Sequence, residues 1–436
     1  MTVSMQGQEA GSIQRMPIVG SGKIWEEMLA REFSHHRQGI ARINNGSFGS
    51  CPRSVLEAQQ RWHRQWLEQP DEFYFGPLEK GLRASREAIA SIIRAPDVEE
   101  IVLVDNVTTA AAMIAQDMAW GFLEKRFHPG DAILMLNCSY AAVKKCFEAY
   151  AVRAGARIIE VELALPILSA RQIIDSFQRS LEQAAKSSTT IRLAVIDHIT
   201  SMPSVVLPAR DLVALCRDAG VEQIFVDGAH AIGNIELSVE EIDADYYSSN
   251  LHKWLFAPHS VAFLHAKAKH LERLHHPVVS HNFKLGLFSE CSWVGTRDYT
   301  SQLAVTAAVE FIDGNLGGLS SLIAFNHRGA MAMAEMLAAA WGTQCGTCAE
   351  LASSMAMVEL PAKLEVASEE AALEMRTRLR REFGVEVPIC FQAGGSPSAN
   401  SKSKRSGTAY ARVSHQIYNK LEDYARLRDA VKSLAR

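Results

Sequence analysis

The sequence lacks both a long apolar run and an excess of positive charge. A membrane-spanning helix needs about 18 consecutive apolar residues, and no stretch of the 436 residues reaches that length. The 45 Lys and Arg residues are scattered and are outnumbered by 49 Asp and Glu residues, which gives a formal net charge of −4. We therefore expect no membrane-spanning segment and no nucleic-acid partner.

The eight cysteines show no spacing typical of a disulfide framework, and no secretory signal precedes them. Cys345 and Cys348 form a CxxC without a second pair or a flanking histidine, so we interpret this spacing as incidental. The histidine-rich segment 271–281 has no acidic or thiol partner at ligand spacing, and we expect it to line the substrate entrance. We predict no metal site, a reducing compartment and a cytoplasmic location, with an organelle left open.

Strand-like and helix-like segments alternate from about residue 85 onward. Short apolar runs predict strands at 99–106, 131–137, 156–163, 191–199, 222–230, 244–250 and 260–266. Helical stretches separate most of them, such as 208–220, which ends in a glycine. This alternation predicts an α/β fold with a mainly parallel sheet that is buried on both faces.

The pattern becomes rich in helices after residue 300, and strands return only at 355–360 and 386–391. A loop of small and basic residues, 392–407, follows the last predicted strand. We predict three parts, which are a flexible segment 1–22, a large α/β domain 23–300 with an N-terminal arm 23–50, and a smaller C-terminal α+β domain 301–436.

Three features of the sequence point to one kind of chemistry. Asp227 ends a predicted strand, at the sheet edge where open α/β sheets bind ligands. Lys253 lies in the aromatic and apolar stretch 246–256, where an ammonium is costly to bury unless it is paired or neutral. The turn 105–111 offers amides and hydroxyls to an anion at a helix N-terminus. Each feature alone also fits an ordinary helix cap or loop contact.

Together these features match what pyridoxal 5′-phosphate (PLP) needs from a protein. The cofactor needs a partly neutral lysine for its aldehyde, a carboxylate at its ring nitrogen and a cradle for its phosphate. Tyr140 follows a predicted strand and is the candidate to stack on the ring, although an ordinary loop tyrosine fits the sequence equally well.

The segments VDGAHAIG and SSNLHKW resemble the signature of the class V aminotransferase family. RINNGSFGS, WVGTRDYTS and ARVSHQIYNK support the resemblance, which runs from about residue 25 to the C-terminus. Within this family the chain is similar to plant-type L-cysteine desulfhydrases and to isopenicillin N epimerase-like proteins. The resemblance implies the PLP-dependent fold type I (aspartate aminotransferase-like), PLP as the cofactor, a small-molecule amino-acid substrate and a homodimer.

The resemblance also implies roles for individual residues in binding the cofactor and moving protons. Lys253 would form the Schiff base and move the α proton, Asp227 would pair with the ring nitrogen, and His230 would contact the phenolic oxygen. Thr296 would reach the phosphate bound in the partner subunit. The implied cofactor-binding residues are Thr108, Thr109, Tyr140, Asp227, His230, Ser249 or Ser248, His252, Lys253 and Thr296.

A second group of residues would bind the substrate. Arg412 matches the arginine that binds the substrate carboxylate, a role suited to its bidentate guanidinium. Asn45 lies where the family's N-terminal loop approaches the substrate. For Arg297 the sequence fits two roles, a second substrate contact or a structural ion pair. For His198 it fits either a role in the cofactor pocket or a structural role.

The cofactor alone permits several reactions, so the choice of reaction depends on the protein. Cysteine desulfurases of the family carry a nucleophilic cysteine on the loop before the carboxylate-binding arginine, and residues 392–411 contain no cysteine. We therefore expect a carbon–sulfur lyase of cysteine catabolism that converts L-cysteine to hydrogen sulfide, pyruvate and ammonia by β-elimination. The alternatives are an amino-acid epimerase, a C–S lyase for a larger cysteine derivative, a cysteine desulfurase and a non-catalytic binding protein.

Overall fold

The structure is a computed structural model that describes residues 22–393 and 407–436. The predicted segment 1–22, apart from Gly22, and most of the predicted loop 392–407 lie outside the described residues. All seven strands predicted between residues 99 and 266 are present, and each is slightly shorter than predicted. The strands of the described residues are β1 (Ala41–Arg42), β2 (Ile101–Val104), β3 (Ala132–Leu136), β4 (Arg157–Val161), β5 (Ile191–Asp197), β6 (Gln223–Asp227), β7 (Tyr246–Asn250), β8 (Ala262–Ala266), β9 (Met355–Glu359), β10 (Val385–Glu386), β11 (Ile389–Ala393) and β12 (Gly407–Ser414).

Seven of these strands form one large sheet in the spatial order β2-β8-β7-β6-β5-β3-β4. The five strands from β7 to β4 are parallel to their neighbours, whereas β8 pairs antiparallel with both β7 and β2. The prediction of a mainly parallel sheet is therefore confirmed, with one edge that is antiparallel.

Two smaller sheets connect distant parts of the chain. β12 pairs antiparallel with β11 on one side and with β9 on the other. β1 pairs in parallel with β10, so the N-terminal arm is bound to the C-terminal part. β12 was not predicted, since the last predicted strand is 386–391. The reason is that Arg412 lies within the buried part of β12 and interrupts the apolar pattern of a buried strand.

The helices lie between the strands and after them. The predicted helix 208–220 is present as Ala209–Asp218. None of the described helices is both long and apolar enough to span a bilayer. The helices of the described residues are Lys23–Glu32, Asn45–Phe48, Arg53–Glu68, Pro70–Tyr74, Pro77–Ile93, Val107–Leu123, Ala141–Phe147, Ala170–Lys186, Ala209–Asp218, Val239–Ile242, Leu251–Trp254, Ala268–Leu271, Leu287–Ser292, Thr300–Leu303, Val305–Leu316, Leu319–Trp341, Glu369–Phe383 and Leu421–Leu434.

Successive side chains of the central strands enter separate cores on the two faces of the large sheet. Leu134 and Ile196 belong to one buried cluster, and their chain neighbours Ile133 and Val195 belong to the other. A third cluster covers the small antiparallel sheet. The helix Val305–Leu316 packs into the first cluster. The predicted domain boundary between residues 300 and 301 stays a prediction.

The carboxyl ends of β5, β6 and β7 meet at one edge of the large sheet. These strands end at Asp197, Asp227 and Asn250, and Asp197 is the register partner of Asp227. The chain therefore places polar residues from three separate segments where parallel sheets bind ligands.

Candidate active site

A cavity of about 230 Å³ opens at this edge of the sheet. The helix N-terminus at residue 107, the turn before residue 141 and the segment after β7 form its walls. The residues that line it are Ser47, Asn106, Val107, Thr108, Tyr140, Val143, Asp197, Ile199, Ser201, Asp227, Ala229, His230, Asn250, His252 and Lys253.

Lys253 faces this cavity from a short helix, Leu251–Trp254, that directly follows β7. Its Nζ lies 3.1 Å from Nε2 of His230. Withdrawal from water and the positive charge of Arg412 lower the pKa of Lys253 to about 7, while Asp227 opposes the shift. A large fraction of this amine is therefore neutral at neutral pH, as a nucleophile or base requires.

Two buried carboxyl groups lie side by side in the wall of the cavity. Asp227 accepts a hydrogen bond from the backbone N–H of Ala229 at 2.9 Å, and Asp197 accepts one from the hydroxyl of Ser139 at 2.7 Å. Burial raises the pKa of both aspartates, and for Asp197 the negative charge of Asp227 raises it further. Asp197 was not predicted as a site residue, although it ends β5 just as Asp227 ends β6.

The helix Val107–Leu123 points its N-terminus at the cavity. Asn106 caps this helix by accepting a hydrogen bond from the backbone N–H of Thr109 at 3.0 Å. The N–H of Val107 donates to the side chain of Asn250 at 3.1 Å. Thr108 borders the cavity, as predicted for a phosphate contact, whereas Thr109 lies one residue further in and turns its hydroxyl toward Asn106.

His252 borders the same end of the cavity. Its Nδ1 lies 2.9 Å from the carbonyl oxygen of Val261, and burial lowers its pKa to about 4. Since the neutral ring donates through Nδ1 to this carbonyl, its Nε2 is left for the cavity.

The two serines predicted as possible phosphate contacts are placed elsewhere. Ser249 donates its hydroxyl to the carbonyl oxygen of Gly228 and accepts from the N–H of Ile232. Ser248 donates to the carbonyl oxygen of Phe263 at 2.7 Å. Neither serine borders the cavity, and both hydroxyls are bonded to backbone groups at the sheet edge on opposite faces of β7.

Arg412 lies next to the cavity on β12 and is only 2% exposed. Its guanidinium donates to neutral oxygens, which belong to Ser201, Asn44 and Ser47, at 2.8–3.2 Å. Its buried Nε has no hydrogen-bond partner, and no carboxylate within the described residues pairs with the guanidinium. Burial lowers its pKa to about 10. A buried cation with neutral neighbours is a suitable partner for a substrate carboxylate.

The loop that contains Asn45 is packed against the backbone of the lysine segment. The side chain of Asn45 donates to the carbonyl oxygen of Lys253 at 3.1 Å and accepts from the hydroxyl of Tyr418 at 2.8 Å. Gly49 has a φ of 70°, and a Cβ there would lie 1.8 Å from the carbonyl oxygen of His252. The structure therefore gives Asn45 a role in positioning Lys253, while its neighbours Asn44 and Ser47 contact Arg412.

Three other candidate residues lie outside the cavity lining. Arg297 pairs with Asp105 at 3.1 Å and lies over the ring of Tyr299, which favours the structural ion pair over a substrate contact in this chain. Thr296 is exposed. His198 is buried, with its Nδ1 2.8 Å from the hydroxyl of Tyr247.

The residues around the cavity fit PLP. The cavity offers a lysine with a lowered pKa, a buried carboxyl group and a helix N-terminus for the phosphate. Tyr140 borders the cavity with 48% of its surface exposed, so its ring is available for stacking.

Comparison with known proteins gives matches over nearly the whole chain. The sequence model of the family "Aminotransferase class-V" matches residues 49–427. An L-cysteine desulfhydrase of Arabidopsis thaliana is 49% identical over 95% of this chain and 92% of its own length. An isopenicillin N epimerase of Streptomyces clavuligerus is 27% identical over 94% of this chain and 98% of its own length.

Solved structures share the fold at low sequence identity. The cysteine desulfurase CsdA of Escherichia coli has a TM-score of 0.67 at 18% identity and covers 94% of this chain and 98% of its own. A C-DES mutant with glycine covalently linked to the PLP cofactor has a TM-score of 0.69 at 18% identity and covers 92% of this chain and 98% of its own. The predicted fold type I is confirmed.

Proposed function

The chain belongs to the class V aminotransferase family, and from this premise we propose that it is a PLP-dependent carbon–sulfur lyase, an L-cysteine desulfhydrase. It converts L-cysteine and water to hydrogen sulfide, pyruvate and ammonia. The proposal rests on one observation, the similarity to four relatives from Arabidopsis thaliana and Oryza sativa that are named for this activity. They are 46–51% identical to this chain over 93–97% of its length.

The cofactor is held by residues from three segments of the chain. Lys253 would bind its aldehyde, Asp227 would bond to its ring nitrogen, and Thr108, His252 and the N-terminus of the helix Val107–Leu123 would hold its phosphate. When bound, PLP withdraws electrons from the substrate Cα, which makes the α hydrogen acidic.

Lys253 also takes the α proton from the substrate. It can do so near neutral pH because burial and the charge of Arg412 hold its pKa at about 7. His230 lies 3.1 Å from Nζ of Lys253, and its own pKa is held well below the usual range by burial and by the nearby cations. The neutral imidazole can therefore accept a hydrogen bond from the lysine and direct its nitrogen toward the cavity.

Arg412 binds the carboxylate of L-cysteine. Its present partners Asn44, Ser47 and Ser201 are neutral, so a carboxylate adds the missing opposite charge.

The cysteines of the chain support elimination over persulfide transfer. Burial raises the pKa of all eight thiols above the usual range, so none is poised as a thiolate. Cys390, the cysteine nearest to the loop before Arg412 in sequence, is buried in β11, and burial raises its pKa to about 12. β-Elimination needs no protein thiol, because the sulfur leaves the substrate as hydrogen sulfide.

A homodimer is part of the proposal. Phe75 is 80% exposed and its ring stacks on Trp293 at 5.9 Å, close in sequence to the exposed Thr296. Exposed aromatic surface of this kind is typical of protein interfaces.

The cytoplasmic location stays a prediction, and one 47%-identical relative is named "Probable L-cysteine desulfhydrase, chloroplastic".

The reaction is tested by product analysis of the purified, PLP-loaded protein with L-cysteine. We expect sulfide and pyruvate in a one-to-one ratio. Alanine as the carbon product would indicate desulfuration instead. Incorporation of deuterium at Cα in heavy water, with racemisation and without sulfide, would indicate an epimerase. Lys253→Ala is the control that must release neither sulfide nor pyruvate above background.

A further inference from the structure

Asp197 is a buried carboxyl group in the wall of the cavity that the proposed reaction does not use. It ends β5 in register with Asp227 at the end of β6, so the two side chains emerge next to each other at the same sheet edge. Both border the cavity, and Asp197 is 3% exposed. A second buried carboxyl group beside the first one is costly, which points to a specific role for it.

The contacts of Asp197 lead to the turn that carries Tyr140. The hydroxyl of Ser139 donates to Oδ2 of Asp197 at 2.7 Å, and the backbone N–H of Tyr140 acts on the same carboxyl group by lowering its pKa. The helix Ala141–Phe147 begins directly after Tyr140. The hydrogen bond from Ser139, two residues before the first residue of this helix, therefore attaches the start of the helix to the end of β5.

Tyr140 itself has few other restraints. Its side chain is 48% exposed and borders the cavity, while its carbonyl oxygen accepts from the N–H groups of Val143 at 2.9 Å and Lys144 at 3.1 Å. The position of the ring over the cavity thus depends on where the Ser139–Tyr140 turn is held.

We propose that Asp197 is a positioning residue for the cofactor ring, because it holds the Ser139–Tyr140 turn so that the tyrosine ring stacks on the bound PLP. The inference rests on the proposed function, in which PLP occupies this cavity. A carboxyl group suits the task because one oxygen accepts from the Ser139 hydroxyl and the other remains available as an acceptor. Burial beside Asp227 raises the pKa of Asp197, which reduces the repulsion between the two groups.

A double-mutant cycle between Asp197 and Tyr140 tests the inference. The measured quantities are the Kd of PLP for the cofactor-free protein and the induced circular dichroism of the bound cofactor, which reports ring orientation. Asp197→Ala and Tyr140→Ala are each expected to raise the Kd about tenfold and to change the circular dichroism band. Because Asp197 acts through Tyr140, the double variant is expected to be no more than about twofold weaker than Tyr140→Ala.

Two further variants separate the hydrogen bonds from the charge. Asp197→Asn keeps an amide oxygen that can accept from the Ser139 hydroxyl, so it should retain the wild-type Kd within about twofold. Ser139→Ala removes the hydroxyl that donates to Asp197 and leaves the carboxyl group intact, so it should raise the Kd about threefold, and this increase should vanish in the Tyr140→Ala background.

The inference is overturned if Asp197→Ala binds PLP like the wild type, or if its effect simply adds to that of Tyr140→Ala. It is also overturned if Asp197→Asn loses as much affinity as Asp197→Ala, since the charge would then be the important property. If Asp197→Ala shows no thermal unfolding transition and is therefore not folded, the inference is tested by the double-mutant cycle between Ser139→Ala and Tyr140→Ala. Failure of the wild-type protein to bind PLP would instead refute the proposed function.

Discussion

At the scale of single residues, the account depends most on the environment of Lys253. The amine of a free lysine has a pKa near 10.4, and the cavity lowers this to about 7. Only the neutral amine attacks an aldehyde, so the rate of PLP capture by the cofactor-free protein should rise about tenfold per pH unit below pH 7 and level off above it. Stopped-flow absorbance measures this rate. A rate that keeps rising to pH 10 would mean that the pKa is not lowered.

Arg412 provides a second test at this scale. Arg412→Ala removes the only cation proposed for the substrate carboxylate, at a cost of about 2–4 kcal/mol, so KM for L-cysteine should rise about 30- to 1,000-fold. The absorbance spectrum of the bound cofactor should change little. Arg412→Lys should recover only part of the loss, because an ammonium cannot bind bidentately. An unchanged KM would show that another residue binds the carboxylate.

Cys390 is the residue that separates elimination from sulfur transfer. Cys390→Ala should keep the rate of sulfide release within about twofold, since a thiol with a pKa of about 12 takes no part in β-elimination. The measurement is sulfide release from L-cysteine, with the melting temperature as the control for folding. Loss of sulfide release in a folded variant would point to a persulfide on this cysteine.

The sequence predicts the role of a residue well where the position of the residue in the backbone is enough to determine that role. Lys253 and Asp227 follow from strand ends and from the family signature, and the structure brings both to the cavity. Ser249 shows the opposite case, because its hydroxyl is directed to the carbonyl oxygen of Gly228. Asp197 was missed because a carboxylate at a strand end is also typical of an ordinary cap.

At the scale of elements, the helix Val107–Leu123 should be coupled to cofactor binding through its cap. Asn106→Ala removes the side chain that accepts from the N–H of Thr109, which should lower the free energy of unfolding by about 1 kcal/mol and raise the Kd of PLP severalfold. Ser368 caps the helix Glu369–Phe383 in the same way, by accepting from the N–H of Ala371 at 3.1 Å.

Ser368→Ala is therefore the matched control for Asn106→Ala. It should lower the free energy of unfolding by a similar amount in urea titrations and leave the Kd of PLP unchanged. If both variants weaken PLP binding equally, the loss reflects overall stability, and the helix N-terminus has no specific role in binding the phosphate.

Helices and strands were predicted from the sequence where their side chains follow a regular apolar pattern. The buried strands of the large sheet are continuous apolar runs, and they were found. β12 was not, because it carries a buried arginine and follows a loop of small polar residues. The four-residue helix Asn45–Phe48 was missed as well, since its glycine and asparagine content is typical of a loop.

At the scale of the whole molecule, three distant segments of the chain close the cavity. The N-terminal arm contributes Asn44 and Ser47, the large sheet contributes Lys253, and β12 contributes Arg412. Asn45 connects the first two through its bond to the carbonyl oxygen of Lys253. Contacts over such sequence separations depend on the assembled fold, so local sequence patterns alone do not predict them.

The proposed homodimer gives a prediction at the same scale. Phe75→Glu places a charge on the exposed aromatic pair with Trp293 and should shift the protein from dimer to monomer in sedimentation velocity. PLP affinity should fall with it, since Thr296 is proposed to contact the partner's phosphate. Leu373→Glu, at a side chain that is 63% exposed on another helix, is the control and should remain dimeric. A monomeric wild-type protein would refute the dimer.

The most direct test of the account is to find where the cofactor is attached. The protein is loaded with PLP, reduced with borohydride, digested and analysed by peptide mass spectrometry. The account predicts that a reduced phosphopyridoxyl group is found on the peptide of residues 246–256, at Lys253, and that Lys253→Ala carries none. A modification at another lysine, or an unmodified protein, would contradict it.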